Sequence, residues 1–104
     1  MKEIDESYLL EQREIEDAYT LVFYNIPKCQ GCEQLRPIVE SVESIFPDIE
    51  FVSLSVRSMK NISTFAPLAT PSILLFVGGY RIREFNGTIN DRYRLIDLIK
   101  QWVL

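Results

Sequence analysis

The strongest constraint on the fold is the stretch from Gln30 to Phe46, where Leu35, Ile38, Val39, Val42, Ile45 and Phe46 recur at intervals of three and four. That spacing places one apolar stripe on a helix, and Pro47 ends it. The run ahead of it, Thr20-Leu21-Val22-Phe23-Tyr24, is dense in β-branched and aromatic residues and is stopped by Asn25 and Pro27, as a buried strand would be. Behind the helix, Phe51 to Val56 alternates, with Val52, Leu54 and Val56 on one face and Phe51, Ser53 and Ser55 on the other. Strand, helix and strand in this order imply parallel pairing through a right-handed crossover, with the helix against one face of the sheet. Pro37 cannot donate to the carbonyl of Glu33, which predicts a kink inside the helix.

The rest of the chain adds elements to this core. Between about Glu3 and Ala18, Tyr8, Gln12, Ile15 and Tyr19 form a stripe among charged residues, which predicts a surface helix. A short helical or irregular stretch is expected near Asn61 to Leu68. The runs Ser72 to Val77 and Tyr80 to Phe85 are separated only by Gly78-Gly79, the signal of a tight hairpin with positive φ at its turn. Thr88-Ile89-Asn90-Asp91 reads as a capping box that opens a last helix, with Ile96, Ile99, Trp102 and Val103 on its apolar stripe. The expected architecture is α/β: a single domain over residues 1–104, with one mixed sheet of four or five strands and helices on both faces.

Charge and composition exclude several functions. The 11 basic and 15 acidic residues leave a net charge of −4 with no Lys/Arg cluster, so a nucleic-acid partner is not expected. The longest apolar run, Ile73 to Val77, falls far short of the roughly 20 residues that span a bilayer, and no membrane association is expected. Met-Lys-Glu-Ile-Asp-Glu-Ser at the start lacks a basic region followed by an apolar one, which sets a cytoplasmic location as the expectation. A monomer is expected. Histidine is absent and there are two cysteines, whereas a zinc site takes about four ligands, so no metal is expected.

The cysteines carry the remaining chemistry. Cys29-Gln30-Gly31-Cys32 lies where the strand ends and the helix begins, so Cys29 should sit at or just before the first turn. Unpaired N–H groups and the positive end of the helix dipole favour a thiolate there, lowering the pKa from the free value of about 8.5. This makes Cys29 the candidate nucleophile. Cys32 lies nearly one turn on along the same face, within reach of a mixed disulfide formed at Cys29, and is the candidate resolving thiol. Gly31 lets the turn between them form without crowding, and Gln30 adds no charge. Lys28, Glu33 and Arg36 around the pair read as solvated surface charges, with Lys28 as an added influence on the Cys29 thiolate.

With these residues in place, the chain resembles the thioredoxin family over nearly its whole length. The resemblance rests on the Cys29–Cys32 motif after a hydrophobic strand, Pro37 five residues beyond it, Thr70-Pro71 before Ser72 to Phe76, and the glycines Gly78, Gly79 and Gly87. It implies the thioredoxin fold, with Pro71 in a cis peptide beside the dithiol. It also implies a substrate-binding edge at Thr70 and Pro71, with Gly87 nearby, where an extended peptide adds by main-chain hydrogen bonds. The implied activity is thiol-disulfide exchange that reduces protein disulfides, with a thioredoxin-reductase-type electron donor. No cofactor beyond the Cys29–Cys32 couple is implied.

Departures from the family pattern are specific. Lys28 stands where members often have tryptophan, and Gln30-Gly31 where they have Gly-Pro. The family's buried aspartate falls at Phe23 and its associated lysine at about Ser53. In the family that acid is implicated in proton transfer for the resolving cysteine, so slower turnover is expected here. Two alternatives follow: an adaptor that docks partners near Thr70-Pro71 without turnover, and glutathione-linked chemistry as in glutaredoxins. The second lacks the usual Thr-Val-Pro and Gly-Gly-Asp patterns, having Ala69-Thr70-Pro71 and Asn86-Gly87-Thr88 instead.

Overall fold

The structure, a computed structural model, describes residues 1–60 and 62–104, with the side chains of residues 62 and 63 left undescribed. The chain runs β1 (Lys2–Glu3), α1 (Glu6–Glu11), β2 (Tyr19–Asn25), α2 (Gln30–Val42), β3 (Ile49–Ser55), α3 (Ile62–Phe65), β4 (Ser72–Val77), β5 (Tyr80–Asn86) and α4 (Arg92–Val103). Asn61, the first residue of the stretch expected to be helical or irregular, lies outside the described residues.

The five strands form one sheet in the order β1-β3-β2-β4-β5. β3 pairs parallel with both β1 and β2, whereas β2–β4 and β4–β5 are antiparallel. The strand–helix–strand unit centred on α2 therefore forms the parallel half of the sheet, and the hairpin turned by Gly78 (φ 57°) and Gly79 (φ 78°) forms part of the antiparallel half.

Both faces are covered, which is why β2 reads as a continuous apolar run. Leu21 and Phe23 join a cluster with Leu35 and Val39 of α2 and with Leu95 and Ile99 of α4. Val22 and Tyr24 point the other way, into a cluster with Leu9 of α1, Phe65 of α3, and Leu74 and Phe76 of β4.

Several boundaries differ from the sequence expectation, among them β3, which runs from Ile49 to Ser55 rather than from Phe51 to Val56. The first helix is α1 alone, capped by Asp5, whose side chain accepts from the N–H of Tyr8. After one 3₁₀ turn the chain becomes extended at Ile15, leaving that residue 55% exposed, while Leu9 supplies the buried contact. The hairpin turn lies so close to α1 that a Cβ on Gly79 would come within 2.7 Å of the carbonyl oxygen of Leu9. At the other end, α2 stops at Val42 and gives way to a 3₁₀ turn, so Ile45 is exposed rather than part of the stripe. Within α2, the helix continues through Pro37.

The capping box at Thr88 does not form. Asp91 caps α4 instead, its carboxylate accepting from the N–H of Tyr93 at 2.9 Å. The intervening residues have another use: Ile89 is buried in the α2–α4 cluster, and the Thr88 methyl packs toward Gly31.

Candidate functional site

β2 delivers the chain to the head of α2 through Asn25, Ile26 and Pro27, and Lys28 then turns it with φ 58° in the left-handed region. Lys28 is exposed, and its backbone conformation rather than a contact of its ammonium is what the structure shows. Cys29 follows in an extended conformation as the N-cap of α2. Its Sγ accepts the backbone N–H of Cys32 at 3.1 Å, and its carbonyl accepts the N–H of Glu33 at 3.1 Å. An N-cap position normally goes to an oxygen-bearing side chain; here a sulfur takes the first-turn N–H. When that sulfur is a thiolate, the same N–H and the helix dipole stabilise its charge.

Cys29 and Cys32 are joined as a disulfide, with an S–S distance of 2.20 Å and a Cα–Cα distance of 5.2 Å. Their environments differ. Cys29 is half-buried and open to an incoming group, whereas Cys32 is 4% exposed and packs into the core cluster with Phe23. A more exposed cysteine beside a sheltered one suits an attack by the first and a resolution by the second.

Gly31 works differently from the sequence argument. It lies in the first turn of α2, and a Cβ there would sit 3.2 Å from Pro71 Cδ and 3.1 Å from Thr88 Cγ2. The missing side chain serves close packing rather than the turn itself: it lets the dithiol loop lie directly against Pro71. Gln30, beside it, is exposed.

The Thr70–Pro71 peptide is cis, as the resemblance implied. Pro71 is buried and Thr70 half-buried, and the Pro71 carbonyl accepts the N–H of Gly87 at 2.9 Å. Gly87 has φ 107°, which a glycine adopts without strain. Cys29, Cys32, Gly31, Thr70, Pro71 and Gly87 thus come together from the head of α2, the loop before β4 and the end of β5.

Sequence reasoning missed what holds that loop. Arg81 on β5 donates to the carbonyls of Thr64 (3.0 Å) and Ala66 (2.8 Å), and pairs with Glu84 at 3.3 Å. Glu84 in turn accepts the N–H of Leu68 at 2.8 Å and the side-chain amide of Asn86 at 2.7 Å. Burial pushes the Glu84 carboxyl up, but the hydrogen bonds from Asn86 and Leu68 and the charge of Arg81 outweigh it and hold the group below the usual carboxylate range. Residues three apart on a regular strand face opposite ways. Arg83 pairs with Leu75 but Arg81 pairs with the next residue, Phe76, so Ile82 is the extra residue of a β-bulge on β5, which breaks that alternation and lets Arg81 and Glu84 meet. The spacing alone carries no signal of this.

A groove of about 340 Å³ opens beside the disulfide, lined among others by Phe23, Cys29, Cys32, Glu33, Arg36 and Glu40. Phe23 is fully buried at the position of the family's acid, and Ser53 is its register partner on β3, also buried. Glu33 is exposed as expected. Arg36 departs from the solvated reading: it is half-buried, with its guanidinium carbon 5.2 Å from the centre of the Phe23 ring.

No family model matches the chain. Among curated proteins, thioredoxin domain-containing protein 15 of Homo sapiens is 36% identical over 70 residues, covering 66% of this chain and 19% of that protein. Its Rattus norvegicus counterpart is likewise 36% identical over 70 residues, 66% of this chain and 20% of the other. The chain therefore spans about a fifth of the length of these relatives. Among solved structures, Chlamydomonas reinhardtii thioredoxin f2 superposes with a TM-score of 0.81 at 17% identity, covering 99% of this chain and 96% of that one. Fasciola hepatica thioredoxin gives 0.75 at 19% identity, covering 97% and 98%. At these identities the structural likeness is one of fold.

Proposed function

We propose that this chain, which has the fold of the thioredoxins and a Cys-x-x-Cys pair, reduces disulfides of protein substrates through Cys29 and Cys32. The observation that carries the reading is the geometry of Cys29. Cys29 is a half-buried residue whose sulfur receives a first-turn N–H at the head of α2, bonded to a sheltered Cys32 and backed by Pro71 through Gly31.

The cycle begins from the reduced pair. The Cys29 thiolate attacks one sulfur of the substrate disulfide, forming a mixed disulfide and expelling the other substrate sulfur as a thiolate. Cys32 then loses its proton and attacks Cys29. The second substrate sulfur leaves as a thiolate, and the Cys29–Cys32 disulfide remains. A substrate laid extended along Thr70 and Pro71 would be held by main-chain hydrogen bonds, which ask little of its sequence. A dithiol or a thioredoxin-reductase-type donor returns the pair to the reduced state.

The test is reduction of a disulfide-linked protein substrate driven by dithiothreitol. Wild type should turn over, Cys29→Ser should be inactive, and Cys32→Ser should accumulate a covalent complex with substrate. Equal rates in all three would refute the proposal. Phe23 favours one second reading, an adaptor that binds at Thr70-Pro71 with little turnover, because the acid that serves the resolving step in the family has no counterpart at that position. Full biological complementation by a Cys29→Ala, Cys32→Ala double variant would select that reading.

A further inference from the structure

The resolving step needs Cys32 as a thiolate, yet the residues at the family's acid and lysine positions, Phe23 and Ser53, are buried and uncharged. We propose that Arg36 serves this step from the groove side, its guanidinium stabilising the Cys32 thiolate while the departing proton passes to water in the groove. The inference rests on the dithiol-exchange reading and names a positioning residue within it.

Four observations support it. Arg36 lies four residues after Cys32 on α2, so the two occupy one face a single turn apart. Side chains on a helix lean toward its N-terminus, which carries the Arg36 side chain back over the turn that bears Cys32. The guanidinium is held there by the Phe23 ring at 5.2 Å, and Phe23 packs in the same cluster as Cys32. Finally, Arg36 forms no ion pair among the described residues, although Glu33 and Glu40 line the same groove. Its charge is therefore not neutralised by a direct carboxylate partner, and the groove that Arg36 lines is lined by both cysteines as well. An aromatic ring in place of a buried acid thus supplies the platform for a cation, and the thiolate is favoured by an opposite charge instead of by a neighbouring base.

The step balances without a further reactant. Cys32–SH gives its proton to water, and its sulfur forms the bond to Cys29 Sγ. The bond from Cys29 to the substrate sulfur breaks, and that sulfur departs as a thiolate whose charge the same guanidinium can meet.

A chromogenic aromatic disulfide tests this in a single turnover. Reduced protein should release two equivalents of coloured thiolate in two phases, the first from attack by Cys29 and the second from resolution by Cys32. Arg36→Met keeps the apolar stem over Phe23 and removes the charge. The second phase should then move its pH midpoint up by about half a unit to one unit and slow severalfold at neutral pH, the groove being partly open to solvent. The first phase should shift less, and Arg36→Lys should restore most of the wild-type profile. An unchanged second-phase midpoint in Arg36→Met, or a lysine variant no better than the methionine one, overturns the role of Arg36. Release of a single equivalent by wild type overturns the dithiol reading itself, and this inference with it.

Discussion

Phe23 on β2 and Ser53 on β3 stand opposite each other in the parallel register, both inaccessible to solvent and neither charged. The pair makes sense only together, because a carboxylate or an ammonium alone at either position would be buried without a partner. Phe23→Asp should therefore destabilise the fold by about 3–5 kcal/mol, by adding a buried charge and removing a packed ring. Adding Ser53→Lys should recover part of that loss. Urea unfolding of the two single variants and the double variant measures the coupling, and simple additivity would show that the positions do not communicate.

Cys29 caps α2 as well as carrying the proposed chemistry. With both proteins reduced, Cys29→Ala should lose about 1 kcal/mol through the unsatisfied N–H of Cys32, whereas Cys29→Ser should stay within a few tenths of wild type. Thermal melts in excess reductant distinguish the two. Both variants should be inactive in exchange.

Gly31→Val should separate the dithiol loop from Pro71, since even a Cβ would press on Pro71 and Thr88 at 3.2 and 3.1 Å. A loss of about 1–3 kcal/mol is expected, with slower disulfide exchange. A variant as stable and as fast as wild type would mean that the close approach is dispensable.

Glu84 links acid stability to the loop before Pro71. Burial opposes ionisation of its carboxyl, but hydrogen bonds from Asn86 and Leu68 and the charge of Arg81 prevail, so its folded pKa lies below the ordinary glutamate value of 4.5. A depressed folded pKa contributes stability that is present above the unfolded value and is lost as pH falls through the folded one. Glu84→Gln should thus be less stable than wild type at neutral pH, with the gap closing as pH falls below about 4.5. Chemical denaturation across that window would read it, and a gap that does not change with pH would exclude Glu84 as the source.

Tyr24 presents the reverse case. Its hydroxyl is buried with no hydrogen-bond partner among the described residues, and burial pushes its pKa well above the ordinary tyrosine value. Tyr24→Phe should cost less than about 0.5 kcal/mol at neutral pH, or stabilise slightly, because no hydrogen bond is lost. For a group whose folded pKa is raised, stability is complete below the unfolded pKa of about 10 and declines as pH rises beyond it. The variant should therefore resist alkaline unfolding better than wild type in a denaturation series above that pH.

The amino-acid sequence by itself determined the central unit and the location of the chemistry. The apolar run of β2, the three- and four-residue spacing of α2 and the alternation of β3 depend on periodicities that local geometry imposes, and Cys29 and Cys32 fall between the first two wherever the rest of the chain goes. The glycine pair of the hairpin was legible for the same reason. Tertiary structure decided what depends on contacts between distant segments. Gly31 could be read as a turn residue until Pro71 and Thr88 were found against it. Thr88 looked like a helix cap until burial of Ile89 moved the cap to Asp91. Arg36 read as one more solvated surface charge until the Phe23 ring was seen under it, and Arg81 and Glu84 meet only because a bulge cancels the strand alternation. Local spacing reports which face a residue takes, but what lies opposite that face is set by packing between elements far apart in the chain.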